Sequence, residues 1–188
     1  MTDSSPSARL FFALWPGAPM QAALLAAADS AVTEASHAGS GVRRVPAENF
    51  HLTLAFLGSV PVARVAEVEA VGAQCARKLH PREPAIEIVL DAIEHWKKPQ
   101  VLVATASVTP PAATALAETL KRALIEQGFT PDLKPFRVHA TVARKVRRIA
   151  GEPHLDPVRW RFDSVQLIES KTAAAGSAYR RVAGWSFG

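Results

Sequence analysis

HLTLAFLG, residues 51–58, sets a histidine and a threonine two positions apart inside an apolar run. The pattern returns at residues 139–146, HATVARKV. In a β-strand, residues i and i+2 point to the same face. Strict alternation therefore puts His51, Thr53, Ala55 and Leu57 on one face and Leu52, Leu54 and Phe56 on the other. The second face is wholly apolar and should be the core side. The later strand reads alike, with His139 and Thr141 opposite Val138, Ala140 and Val142. One such tripeptide arises easily by chance; two in matching strand contexts carry weight.

The surroundings place these strands in a larger pattern. Residues 8–15 (ARLFFALW) read as a strand ended by Pro16-Gly17. Pro19 suits a helix start, with Met20, Leu24, Ala28 and Val32 at helical spacing until Gly39. Val42–Val45 is a short strand. Residues 62–79 form a helix with Val65, Val68, Cys75 and Leu79 on one face. Residues 85–96 and 100–108 read as two strands joined by a Lys-Lys-Pro turn. Pro110 and Pro111 open a helix lined by Leu116, Leu120 and Leu124 and closed by Gly128. After the strand at 137–146, residues 158–170 and 178–188 form a terminal hairpin. Each HxT strand follows a helix by way of a polar stretch, a weak internal repeat. This alternation predicts an α+β fold of two similar halves with antiparallel pairing.

The 188 residues suit one domain, or two small lobes sharing a core, and 48% hydrophobic content is enough to build it. A net charge of +5 favours anionic partners such as nucleotides, RNA or acidic lipid. Cys75 is the one cysteine, so no intrachain disulfide forms and a reducing cytoplasm fits. The apolar stretch near the N-terminus is too short for a membrane span or a signal core. A cytoplasmic protein with no membrane attachment is expected.

Two imidazoles and two hydroxyls facing one cleft suit phosphoryl chemistry. An imidazole exchanges a proton near neutral pH. Two on opposite sides of a phosphorus can deprotonate a water and protonate a departing oxygen. The hydroxyls can donate to the non-bridging oxygens, where charge accumulates. Neither motif carries a carboxylate or thiol beside its histidine, which argues against a metal site. No Gly-rich phosphate loop points to ATP. No cofactor is expected. His37, His80, His95 and His154 lie in loops or at element ends without this pattern.

HLTLAFLG and HATVAR resemble the two HxTx motifs of the two-histidine phosphoesterases. The resemblance is greatest to the RNA 2′,3′-cyclic phosphodiesterases, also called 2′-5′ RNA ligases. It spans nearly the whole chain and includes RLFFAL, VRRVPAENFHLTLAFLG, PFRVHATVAR and the LIES…Y ending. Val138 and Ala140 depart from it, standing where proline and a larger aliphatic are usual. The resemblance implies two pseudo-symmetric lobes of antiparallel sheet with outer helices around a central cleft, all within one domain over residues 1–188. It implies hydrolysis of RNA 2′,3′-cyclic phosphate ends to 2′-phosphates, with reversible 2′-5′ ligation as a further activity, by a monomer. His51 then matches the proton donor, His139 the proton acceptor, and Thr53 and Thr141 the phosphate ligands. Spacing alone leaves donor and acceptor open. Arg144 is an expected phosphate contact, yet its odd offset from His139 brings it to the cleft only if the strand ends or bulges there.

Two other readings remain at this point. One changes the substrate to another cyclic nucleotide or a nucleotide-sugar phosphate. The other is a non-catalytic RNA-binding module. Arg137 shares the parity of His139 at the rim, and Arg147, Arg148, Arg159, Arg161, Arg180 and Arg181 either form a solvated basic face or track an RNA backbone. Phe11, Phe12, Trp15, Trp96 and Tyr179 could stack on bases.

Overall fold

The computed structural model describes residues 6–78, 85–173 and 176–187. Ten strands and four α-helices follow in the order β1 (Ser7–Leu14), α1 (Ala18–Ala27), α2 (Asp29–Ala38), β2 (Arg43–Arg44), β3 (Leu52–Pro61), α3 (Val65–Lys78), β4 (Ile86–Leu90), β5 (Ala92–Trp96), β6 (Val101–Thr105), α4 (Pro111–Glu126), β7 (His139–Arg144), β8 (Val158–Phe162), β9 (Ser164–Ala173) and β10 (Gly176–Ser186). Two four-stranded sheets have the orders β10-β9-β1-β3 and β2-β7-β6-β5, and β4 pairs with β8 in a separate ribbon. All pairings are antiparallel. The α+β architecture with one HxT strand in each four-stranded sheet agrees with the expectation from the motifs.

The main core fills the space between sheets and helices. Leu10, Phe12 and Leu14 of β1, Leu52 and Leu54 of β3, Leu102 and Ala104 of β6 and Ala140 of β7 meet Val68, Leu116, Leu120 and Leu124 from α3 and α4. Trp160 is fully buried, and its indole N–H donates to the Met20 carbonyl at 2.9 Å. A smaller cluster of Phe11, Ala13 and Ile168 lies on the opposite face of the first sheet, under Trp15, Phe56 and Tyr179. Both faces of β1 are therefore covered, which suits its unbroken apolar run.

Several elements differ from their sequence reading. The strand expected over 85–96 is two strands. Asp91 breaks it: its carboxylate accepts the Ser107 N–H at 2.8 Å and the Ser107 hydroxyl at 2.5 Å, and its own N–H bonds the Thr105 carbonyl. Asp163 likewise separates β8 from β9, so only β9 joins the terminal hairpin while β8 pairs with β4. An aspartate that bonds locally competes with the ladder, and both strands change partners there. The helix read from Pro19 to Gly39 is two helices separated at Ala28. Leu79, expected on the α3 face, lies outside the described residues.

Gly72 of α3 sits where a Cβ would run into the Trp185 ring and stand 2.8 Å from Phe12. In an exposed helix Gly→Ala adds about 1 kcal/mol of stability. Here overpacking should reverse the sign, and Gly72→Ala should lose about 1–3 kcal/mol in urea unfolding. A gain in stability would mean the helix–strand contact is looser than described.

Candidate active site

Both motif strands carry a β-bulge just beyond the threonine. On β3 the register against β1 runs Ala13↔Thr53, Phe12↔Ala55, Phe11↔Phe56 and Leu10↔Gly58, so Leu54 and Leu57 are extra residues. On β7 the register against β6 runs Val103↔Thr141, Leu102↔Ala143 and Val101↔Arg144, so Val142 is extra. A bulge adds one residue and flips the alternation beyond it. His51, Thr53 and Phe56 therefore share a face, as do His139, Thr141 and Arg144. This corrects the strict alternation read from residues 51–58: Phe56 turns to the cleft, while Ala55 and Leu57 pack on the main core. It also brings Arg144 to the cleft face.

The two triplets line one cleft of about 880 Å³, together with Arg9, Phe11, Trp96, Lys98, Lys134 and Tyr179 among others. The floor thus has two equivalent sets, and the position five residues beyond each histidine differs: aromatic Phe56 in one, cationic Arg144 in the other. The Arg9 guanidinium lies over Phe56, 4.8 Å from the ring centre.

Each histidine is oriented in the same way. His51 Nδ1 lies 2.7 Å from the Asn49 carbonyl and His139 Nδ1 lies 2.9 Å from the Arg137 carbonyl, in both cases the residue two positions earlier. A carbonyl only accepts, so the neutral ring carries its proton on Nδ1. Nε2 is left as the basic nitrogen when the ring is neutral and as a second donor when it is charged. The bond to the carbonyl survives either state. Neither the Thr53 nor the Thr141 hydroxyl has a hydrogen-bond partner among the described residues.

Beyond this common frame the surroundings diverge. His51 lies flat against Trp15, with ring centres 4.9 Å apart and planes 4° from parallel. Phe11 and Tyr179 close in at 5.1 and 5.2 Å. Burial among these rings pushes the His51 pKa down to about 4, the Asn49 carbonyl opposing and the charges of His139 and Arg144 adding to it. His139 meets Trp96 at 4.7 Å. Its pKa is also lowered, chiefly by burial, with the Arg137 carbonyl and Glu94 opposing. Glu94 accepts from the Trp96 indole at 2.9 Å, the Thr105 hydroxyl at 3.1 Å and Arg137 at 2.5 Å, and so fixes Trp96 beside His139.

The cleft differs from the sequence reading in its outer residues. Arg159 and Arg161 pair with Glu87, Arg180 pairs with Glu169, and Arg148 bonds the Ala38 carbonyl. None of the arginines expected to track RNA from 147 onward lines the cleft; its cations are Arg9, Lys98, Lys134 and Arg144. Phe12 belongs to the core. Arg9 shares the parity of Phe11 on β1, a signal readable from the sequence. Lys98 arrives from the β5–β6 turn and Lys134 from the α4–β7 loop, which no periodicity marks. Among the described residues no three His, Cys, Asp or Glu side chains gather where they could hold a metal ion. No helix among them is long and apolar enough to cross a membrane.

Known proteins similar to this chain share its fold or parts of its sequence. The model of the LigT like Phosphoesterase family matches residues 19–103. The chain is 32% identical over 102 residues to an RNA 2′,3′-cyclic phosphodiesterase of Escherichia coli, covering 54% of each chain. It is 28% identical over 156 residues to an RNA 2′,3′-cyclic phosphodiesterase of Aeropyrum pernix, covering 77% of this chain and 86% of that one. The first alignment thus spans about half of its relative, and the second most of it. The fold superimposes on that of E. coli LigT complexed with 3′-AMP with a TM-score of 0.82, at 23% identity over 97% of this chain and 99% of that one. A Thermus thermophilus structure gives 0.74, at 26% identity over 95% and 97%.

Proposed function

We propose that this chain, which is similar to the LigT-like phosphoesterases, acts over residues 1–188 as one two-lobed domain that opens 2′,3′-cyclic phosphates at RNA ends to 2′-phosphates. The observation that carries this is the pairing of two carbonyl-oriented imidazoles with two free hydroxyls in one cleft. Water attacks phosphorus while His139 Nε2 takes its proton. The P–O3′ bond breaks and His51 Nε2–H protonates the departing O3′. The product is a 2′-phosphomonoester beside a free 3′-hydroxyl. Thr53, Thr141 and Arg144 donate to the non-bridging oxygens, whose charge grows in the transition state. Ligation uses the same groups, with a 5′-hydroxyl in place of water and a 2′-5′ diester as product. No cofactor takes part, and the protein works in the cytoplasm as a monomer.

The local electrostatics support the timing of proton transfer. In the empty cleft both imidazoles favour the neutral form. A bound phosphodiester anion favours the imidazolium, because an opposite charge nearby raises a histidine pKa. Substrate therefore helps to charge the group that must donate. Purified protein with excess chelator and a 2′,3′-cyclic nucleotide tests the reading. Turnover is expected. Its absence with both the nucleotide and a cyclic-ended oligonucleotide would overturn the reading; turnover of another cyclic phosphate would then move the substrate class, and turnover of none would leave the binding module.

The rate should follow a bell, because one histidine must be charged and the other neutral. The apparent values belong to the coupled pair. For kcat/KM, which reports the free enzyme, both limbs should fall acid of where two ordinary histidines near 6.5 would put them. For kcat, which reports the bound state, the bell should move to higher pH. Coincident bells, or a flat profile between pH 5 and 8, would contradict the account.

A further inference from the structure

A cross-strand row runs through the second sheet as Trp96–Val101–Arg144–Arg43, one residue from each of β5, β6, β7 and β2. Directly opposed residues on neighbouring strands share a face. Trp96, Val101 and Arg144 all line the cleft. Arg43 therefore continues the cleft floor by one step, to the edge of the sheet. Its neighbour Arg44 has the opposite parity and is neutralised, bonding Asp29 and Thr33 of α2 at 2.7 Å each. Arg43 and Arg144 have no carboxylate partner among the described residues. Like charges directly opposite destabilise a sheet. An anion between two guanidinium forks reverses the sign and matches their geometry.

The positive charge beside this pair is one-sided. Lys97 and Lys98 sit on the exposed β5–β6 turn, which is tied to β7's end by the bond from the Val146 N–H to the Gln100 carbonyl at 2.9 Å. Lys145 and Arg147 are exposed in that same segment and unpaired among the described residues. The arginines of β8 face Glu87, and Arg180 of β10 faces Glu169.

The geometry points to Arg43 as a phosphate site at the mouth of the cleft, holding with the outer edge of the Arg144 fork, whose inner edge meets the reacting phosphate, the next backbone phosphodiester of the RNA strand that leads in over the β2–β7 edge. This rests on the proposed activity and adds the strand's route. A cyclic mononucleotide has no phosphate to place there; an oligonucleotide does. Arg43→Gln should leave kcat/KM for a 2′,3′-cyclic mononucleotide unchanged. For a cyclic-ended tetranucleotide it should lower kcat/KM about tenfold, and it should make the salt slope of log kcat/KM shallower by about 0.7–1, the worth of one phosphate contact. Arg44→Gln, on the other face of the same strand, should change neither. Anisotropy of a labelled 2′-phosphate-ended tetranucleotide reads the site without turnover, and Arg43→Gln should weaken that binding to a similar extent. An unchanged tetranucleotide rate and affinity in Arg43→Gln would overturn the site, even with the wild type fully active. Equal losses in Arg43→Gln and Arg44→Gln would also overturn it, since damage to β2 would then explain both. Wild-type protein that turns over neither substrate while Arg43→Gln still weakens anisotropy would keep the site and remove the activity.

Discussion

Replacing His51 or His139 with Ala should slow hydrolysis of a 2′,3′-cyclic phosphate by about 10²–10⁴-fold, the usual worth of one positioned proton-transfer group. Each ring sits at the start of its motif strand and is fixed by the carbonyl two residues before it. Neither ring is a core residue that the fold depends on, so KM and folding should change far less than kcat. The double variant should lose less than the product of the two single losses, because the groups act in one transition state. The matched geometry does not by itself assign donor and acceptor, and the pH bell is the same for either. A substrate with sulfur at the bridging 3′ position separates them, because a thiolate leaves without being protonated. His51→Ala should recover much of its loss on that substrate, while His139→Ala should stay slow. The reverse pattern would exchange the roles.

The next largest effect is expected at the threonines. Val keeps the β-branched shape and the strand preference of Thr and removes only the hydroxyl. Thr53→Val and Thr141→Val should each lower kcat by about 10²-fold, at the lower end of what losing one transition-state hydrogen-bond donor costs. The loss should appear in kcat more than in KM, since charge on the non-bridging oxygens grows as the reaction proceeds. Both hydroxyls lack protein partners among the described residues, so neither substitution orphans a buried group. A loss confined to KM, or none, would mean the hydroxyls do not meet the reacting phosphate.

The sequence made the frame of this cleft legible. Two strands with His and Thr at i and i+2, each with an apolar opposite parity, required two imidazoles on accessible faces. The core parity of Leu52, Leu54, Val138 and Ala140 followed from the same alternation. What strict alternation misplaced were the residues beyond the bulge on the first motif strand, Ala55, Phe56 and Leu57. The bulges at Leu54 and Val142 have no sequence signature here, yet they decide that Phe56 and Arg144 enter the cleft. The breaks at Asp91 and Asp163 were equally hidden, because apolar strand-like residues flank both. They appear only once Ser107 and Phe187 are brought next to them through the fold. The aromatic enclosure of His51 joins residues from β1 and β10, far apart in the chain. Trp15, one of five aromatics that could stack on a base, lies flat against the imidazole. That contact, with Phe11 and Tyr179, is what keeps His51 dry and holds its pKa near 4.

The central claim is that His51 and His139 open a 2′,3′-cyclic phosphate by expelling O3′. The position of the phosphate in the product tests it most directly. A cyclic-ended oligonucleotide is incubated with the protein in excess chelator, and the product is read by phosphorus NMR against authentic 2′- and 3′-phosphates. The account predicts the 2′-phosphate alone, lost in His51→Ala and His139→Ala. A 3′-phosphate product, or a 2′-phosphate that forms as fast in either histidine variant, would contradict it.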